Sequence, residues 1–206
     1  MDSIDYCPKC GLKTNHEILS EEISKGGGDY EPSWSHKYSI IKCKGCNNIQ
    51  FKSSYGDEFM EKLNQVGELV YYRNDSYYPS FLENYREKLE NYSIPKNIEN
   101  IHLETLEAIK SNSLLLAAAG LRMIVEAISK ENNIKRENLE KKIITLLNEG
   151  KITEKEAERL QVIRLLGNES VHKMTRSTKE NILLALDIVE HLIINLYGLS
   201  SENLKP

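Results

Sequence analysis

Before residue 79 the apolar positions of this 206-residue chain tend to alternate with polar ones, whereas from about residue 98 onward they recur every three or four residues. The first pattern predicts strands over 36–42, over 48–52, where Ile49 and Phe51 flank one polar residue, and over 68–73, which carries Tyr71 and Tyr72. Gly26, Gly27 and Gly28 read as a flexible tip between two strands, and 74–79 as the exit from this β module. Residues 80–92 fit a short helix that stops at Ile94-Pro95, because proline pushes the residue before it out of the α region.

The second pattern predicts helices. One runs from Ile98 or Leu103 to Lys130, with a middle so apolar that it must be buried on most sides, and Ala117-Ala118-Ala119-Gly120 gives it a small-residue face that a neighbouring helix can approach closely. The next spans 136–148 and stops at Gly150, suited to a left-handed cap. A third opens with Thr153 and Glu156 in capping-box spacing and continues through Leu160, Ile163 and Leu166. The fourth shows the same signature at Ser177 and Glu180, then Ile182, Leu186, Val189, Ile193 and Leu196, ending at Gly198. Four such helices make a bundle.

The longest apolar stretch, 114–125, is broken by Gly120 and Arg122 and is shorter than a bilayer crossing requires, so no membrane span is expected. The first residues, Met-Asp-Ser-Ile-Asp, are acidic where an export signal is basic and then apolar, which makes the cytoplasm the expected compartment. Net charge is -4; residues 1–79 hold 9 Lys and Arg against 12 Asp and Glu, and residues 80–206 hold 18 against 19. Neither half has the basic excess of a dedicated nucleic-acid binder.

The cysteines change the picture. In a reducing compartment thiols serve as metal ligands more readily than as disulfides, and all four here form two CxxC knuckles, Cys7/Cys10 and Cys43/Cys46, separated by 32 residues. Two knuckles supply a closed tetrahedral thiolate shell for zinc, with no position left for water or substrate, so the expected ion is structural. His16 and His36 fall outside knuckle spacing and read as ordinary surface or strand residues. The tyrosines at 71, 72, 77 and 78 suit either a protein interface or packing of the ribbon.

In the helical half, Arg164, Asn168 and His172 stand four apart and share one stripe if the helix continues through Gly167. A cation, an amide and an imidazole on one stripe can engage a phosphate. Glycine inside a helix costs about 1 kcal/mol relative to alanine, which hints at close approach of another backbone, or a bend. Lys173, Arg176 and Lys179 form the densest positive cluster nearby, an expected nucleic-acid contact or a solvated helix end. Arg122 and Glu126, four apart amid apolar neighbours, suggest a half-buried ion pair that orients a functional residue on another helix.

The CPxC ribbon, the run Ala-Ala-Ala-Gly-Leu-Arg-Met-Ile-Val-Glu (117–126) and the run Ile-Arg-Leu-Leu-Gly-Asn-Glu-Ser-Val-His (163–172) resemble the bacterial domain of unknown function 4145 family, within the HEPN-like helical superfamily. That resemblance implies a bundle that dimerises through its helical domain. It also implies a metal-independent ribonuclease of a toxin or phage-defence system, in which His172 is the acid/base, arginine stabilises transition-state charge and Asn168 fills the polar position. The sequence departs from the pattern at Gly167, where catalytic members carry the arginine, leaving Arg164 with seven residues between it and His172. Non-catalytic members serve as nucleotide-binding, RNA-binding or adaptor modules.

The expectation is therefore an α+β chain, mostly α: a zinc-ribbon β module over 1–79, a connecting helix and linker over 80–100 and a HEPN-like bundle over 101–206. The function expected first is that of a nucleic-acid-associated protein, with His172, Arg164 and Asn168 as the residues of an RNA-cutting enzyme. The alternative is a non-catalytic module that docks on a protein partner in a defence or restriction complex.

Overall fold

A computed structural model describes residues 2–83, 89, 92–172 and 177–198, with the backbone only at 171 and 172. The chain forms two compact units, residues 1–86 and 87–206, so the α+β class holds, with strands first and helices after.

Unit 1 is antiparallel. Its strands are β1 (Asp2–Cys7), β2 (Leu12–Gly28), β3 (Glu31–Cys43), β4 (Ile49–Asp57), β5 (Glu61–Leu63), β6 (Leu69–Tyr71) and β7 (Asn74–Tyr78). The main sheet runs β1-β2-β3-β4-β7, and β5 and β6 make a separate hairpin. The glycine tip joins β2 to β3 as expected, and Trp34 lies across Gly26, where a Cβ would stand 2.5 Å from the indole. Residues 74–79 are not merely an exit: Phe51 pairs with Tyr78 and Tyr55 with Asn74, adding a fifth strand. Alternation was invisible there because the segment is almost wholly polar or aromatic.

Side chains of the two edge strands meet across the concave face of this sheet. Asp5 on β1 is buried and accepts from Lys52 Nζ at 2.6 Å and from the Tyr77 hydroxyl on β7 at 2.7 Å. Lys52 also pairs with Asp75 at 2.8 Å. Burial would raise the Asp5 carboxyl, but the Lys52 ammonium and the Tyr77 hydroxyl outweigh it and hold the group below the usual carboxylate range. Arg73 donates to Ser54 and to Ser35 and its carbonyl, tying β3 to β4. Among the described residues the buried apolar side chains of unit 1 are few: Tyr6, Cys7, Ile41, Cys43, Met60 and Leu82.

Among the described residues unit 2 holds five helices, α1 (Lys96–Lys110), α2 (Leu114–Glu131), α3 (Leu139–Asn148), α4 (Glu154–His172) and α5 (Lys179–Ile193), the last followed by a π-helical turn (Ile194–Gly198). The single helix expected up to Lys130 is in fact two. Asn112 takes φ +59°, Ser111 Oγ returns to the Glu107 carbonyl, and the chain reverses so that α1 packs on α2. Apolar residues on both sides of Ser-Asn-Ser, Ala108 and Ile109 before it and Leu114 to Leu116 after it, masked the break. The expected short helix over 80–92 falls largely outside the described residues.

α2 packs against each of the other four helices, and Ala117, Ala118, Leu121, Ile124, Val125 and Ile128 are buried. Its small-residue face works as expected: a Cβ on Gly120 would stand 2.3 Å from Thr105 Oγ1 of α1. Caps are made by Asn138, by the Thr153/Glu156 box and by Thr178, one residue later than expected. Gly150 closes α3 with φ +67°. The stretch Lys179–Gly198 is long and apolar enough to cross a membrane by length and composition, but Ile182, Leu186, Val189 and Ile193 face the core and Glu190 is buried among them. It reads as a core helix.

Candidate functional site

The two knuckles are built alike. Each follows a strand, β1 or β3, and each closes when the fourth residue past the first cysteine turns left-handed and donates its N–H to that cysteine's carbonyl: Gly11 to Cys7 at 2.8 Å and Asn47 to Cys43 at 2.9 Å. Gly45, inside the second knuckle, lies beside the Cys43 and Cys10 sulfurs, and the backbone relief comes from Asn47 instead. Pairing of β2 with β1 and β3, in which His16 faces Cys43, brings the knuckles together.

All four Sγ atoms lie within 4.8 Å of one another, with Cys7 to Cys46 at 3.5 Å and Cys10 to Cys43 at 3.8 Å. Sulfurs bound tetrahedrally at about 2.3 Å sit roughly 3.8 Å apart, so the cluster fits one metal ion with a complete sulfur shell. Cys7 and Cys43 are fully buried and Cys10 and Cys46 half-buried. Burial works against ionisation of Cys43, yet the Thr14 hydroxyl at 3.2 Å and the N–H groups of Cys46 and Gly45 prevail and draw its thiol down to about 6. Neither His16, whose Nδ1 bonds the Thr14 carbonyl, nor His36, which bonds Ser53 and Tyr38, belongs to the cluster. His16 is a fully buried strand residue.

In unit 2, α4 runs unbroken through Gly167 to His172, so Arg164, Asn168 and His172 share one helix at four-residue spacing. The structure does not gather them into one constellation of described side chains. Arg164 Nε donates to Gln161 at 2.6 Å and Nη1 lies 3.7 Å from Glu140 on α3; Asn168 is half-buried; the His172 ring lies outside the described residues, as do Lys173 and Arg176. Lys179 is exposed in the first turn of α5.

Gly167 is where α4 crosses α2. A Cβ there would stand 2.6 Å from Arg122 Cβ, 2.8 Å from its Cδ and 3.1 Å from the Ala118 carbonyl oxygen. Arg122 then pairs with Glu126 at 3.4 Å, as expected, and the other Glu126 oxygen takes Lys142 of α3 in a short hydrogen bond. Arg122 Nε is buried without a hydrogen-bond partner among the described residues.

Sequence reasoning missed three features whose members are far apart in the chain. His102 on α1 pairs with Glu190 on α5 at 2.9 Å, both buried, although they stand 88 positions apart. A groove of about 690 Å³ between α4 and α5 is lined by Val162, Ile163, Leu166, Leu184 and Ile188. A second cavity of about 690 Å³ lies against α1, α2 and α3 and is rich in lysine and arginine. Of the tyrosines, 71, 72 and 78 are exposed while Tyr77 turns in to Asp5.

A family model described as a domain of unknown function (DUF4145) matches residues 103–205, half of the chain. No curated protein and no solved structure matches it.

Proposed function

The chain belongs to the DUF4145 family, and because that membership itself carries no activity, we propose a function from its own residues: a metal-stapled, non-catalytic interaction module whose HEPN-like bundle pairs with a second copy of this chain. The observation that carries this reading is the outward face of the motif helix. Val162 of α4, exposed at 63%, and Leu184 of α5, exposed at 62%, line the apolar groove between these helices, and α4 also exposes Leu165 at 50%. Aliphatic side chains clustered on a surface mark a contact face. The position at which a catalytic arginine would stand is instead Gly167, packed on Arg122, and Arg164 is engaged by Gln161 and Glu140.

The front module is a zinc ribbon in this proposal. Four thiolates with no oxygen or nitrogen ligand favour zinc over magnesium or calcium, and a full sulfur shell gives the ion a structural role. The defence or restriction setting follows from the resemblance alone.

One observation favours the ribonuclease reading: the unbroken α4 carries Arg164, Asn168 and His172 at four-residue spacing. The two readings separate in one set of measurements. Light scattering after size exclusion should give a dimer, and V162E/L184E a monomer with an unchanged circular dichroism spectrum. Single-stranded RNA should survive incubation with the wild type without added metal. A monomeric wild type, or RNA cleavage that disappears in His172→Ala, would sink the proposal.

A further inference from the structure

The cavity against α1, α2 and α3 has a composition unlike the chain as a whole. Lys130, Lys135, Arg136 and Lys142 border it, with Glu126 as the one carboxylate in its lining among the described residues, in a protein of net charge -4. That carboxylate is already shared: Arg122 takes one of its oxygens and Lys142 the other. Lys130 and Lys135 have no ion pair among the described residues, and Arg136 makes only an Nε–H bond to Thr145 Oγ1 at 3.2 Å. Three cations without a carboxylate partner thus surround one hollow, where their field adds rather than cancels.

The floor is different. Ile101 of α1, Met123 and Ala127 of α2 and Ile134 of the following loop are apolar, and Met123 is 51% exposed within the hollow. The loop is held open by Asn133 at φ +59°, with the Asn133 and Ile134 N–H groups bonded to the carbonyls of Lys130 and Ser129. Lys135 and Arg136 therefore project from a fixed turn rather than from a free tail. At about 690 Å³ the cavity lies within the range of small-molecule sites.

Cations at the rim and aliphatic groups below select a molecule with a compact multiply charged head and a short apolar body. A carboxylate carries one charge and matches one or two of these groups, whereas a phosphate monoester carries up to two charges and three acceptor oxygens, enough to engage arginine and lysine together. We propose that this cavity is a binding site for small phosphate monoesters of apolar or aromatic alcohols, independent of the cysteine cluster and of the α4–α5 face.

The test uses the full metal-loaded chain and calorimetric titration with phenyl phosphate, 1-naphthyl phosphate, inorganic phosphate and a single-stranded RNA oligonucleotide. Both aryl phosphates should bind, at least about tenfold tighter than inorganic phosphate if the apolar floor contributes about 1.4 kcal/mol. K135E/R136E should weaken both at least tenfold while its circular dichroism and melting stay as in the wild type, because both side chains are exposed. Met123→Asp should remove the advantage of the aryl phosphates over inorganic phosphate. Absence of aryl phosphate binding, equal affinity in K135E/R136E, or binding of the RNA alone would overturn the assignment.

Discussion

Metal removal should unfold unit 1 and leave unit 2 folded. Unit 1 has a thin core: of its six buried apolar side chains among the described residues, two are the cysteines Cys7 and Cys43 themselves. An ion held by the four sulfurs would join the β1–β2 turn to the end of β3 and close a loop with 32 residues between Cys10 and Cys43. Treated as a cross-link, a loop of that length removes unfolded-chain entropy worth about 4 kcal/mol. This is a floor, because structural zinc in small peptides contributes on the order of 10 kcal/mol, and stripped thiols would also be left to repack. For a unit of this size 1 kcal/mol moves Tm by about 4–8 °C, so removal should lower the melting point of unit 1 by at least about 15 °C.

The chain carries its own reporter for this. Its one tryptophan, Trp34, lies on β3 of unit 1, while the helices of unit 2 dominate the circular dichroism at 222 nm. Mass spectrometry should find one zinc per chain. After treatment with a strong chelator, or in C43S/C46S, the Trp34 emission should melt early or be shifted from the start while the 222 nm transition stays in place. A Trp34 transition unmoved in protein shown to be metal-free would refute the argument that the sulfur cluster, and not the sheet, supplies the stability of this unit.

Two further outcomes follow from side chains already described. Gly167→Ala adds about 1 kcal/mol of helix propensity but forces a Cβ into Arg122 and the Ala118 carbonyl. Overpacking of this kind costs about 1–3 kcal/mol, so urea unfolding at 222 nm should show a net loss rather than a gain. Asp5 has a carboxyl held below its ordinary value, so its contribution is present above about pH 4 and is lost as pH falls through the folded-state value. Asp5→Asn should lower the Trp34 melting point at pH 7, where the metal site is intact, and Tyr77→Phe should cost less in the Asp5→Asn background than in the wild type. Equal losses for Tyr77→Phe in both backgrounds would mean that the Tyr77 contact does not hold the carboxylate.

How far the sequence could be read depended on where the interacting residues lie. The cysteine cluster was legible because each knuckle is a local turn with a fixed four-residue geometry, and two local turns need only one sheet to join them. The small-residue face of α2 was legible for the same reason, since Gly120 lies within the run that announced it. What failed were features without a local signature. The reversal at Asn112 depends on one residue accepting a left-handed conformation, and nothing in the apolar spacing of 98–130 marks it. The pairing of β4 with β7 and the His102–Glu190 contact join segments that share no pattern. Gly167 bears most directly on function. The resemblance expects an arginine there; in the structure it is where Arg122 and the Ala118 carbonyl of α2 pack against α4. A side chain at 167 fits only if Arg122 and the Ala118 carbonyl shift away from α4. An arginine there would require the two helices to separate, and that makes Gly167 a commitment of this chain to its packing.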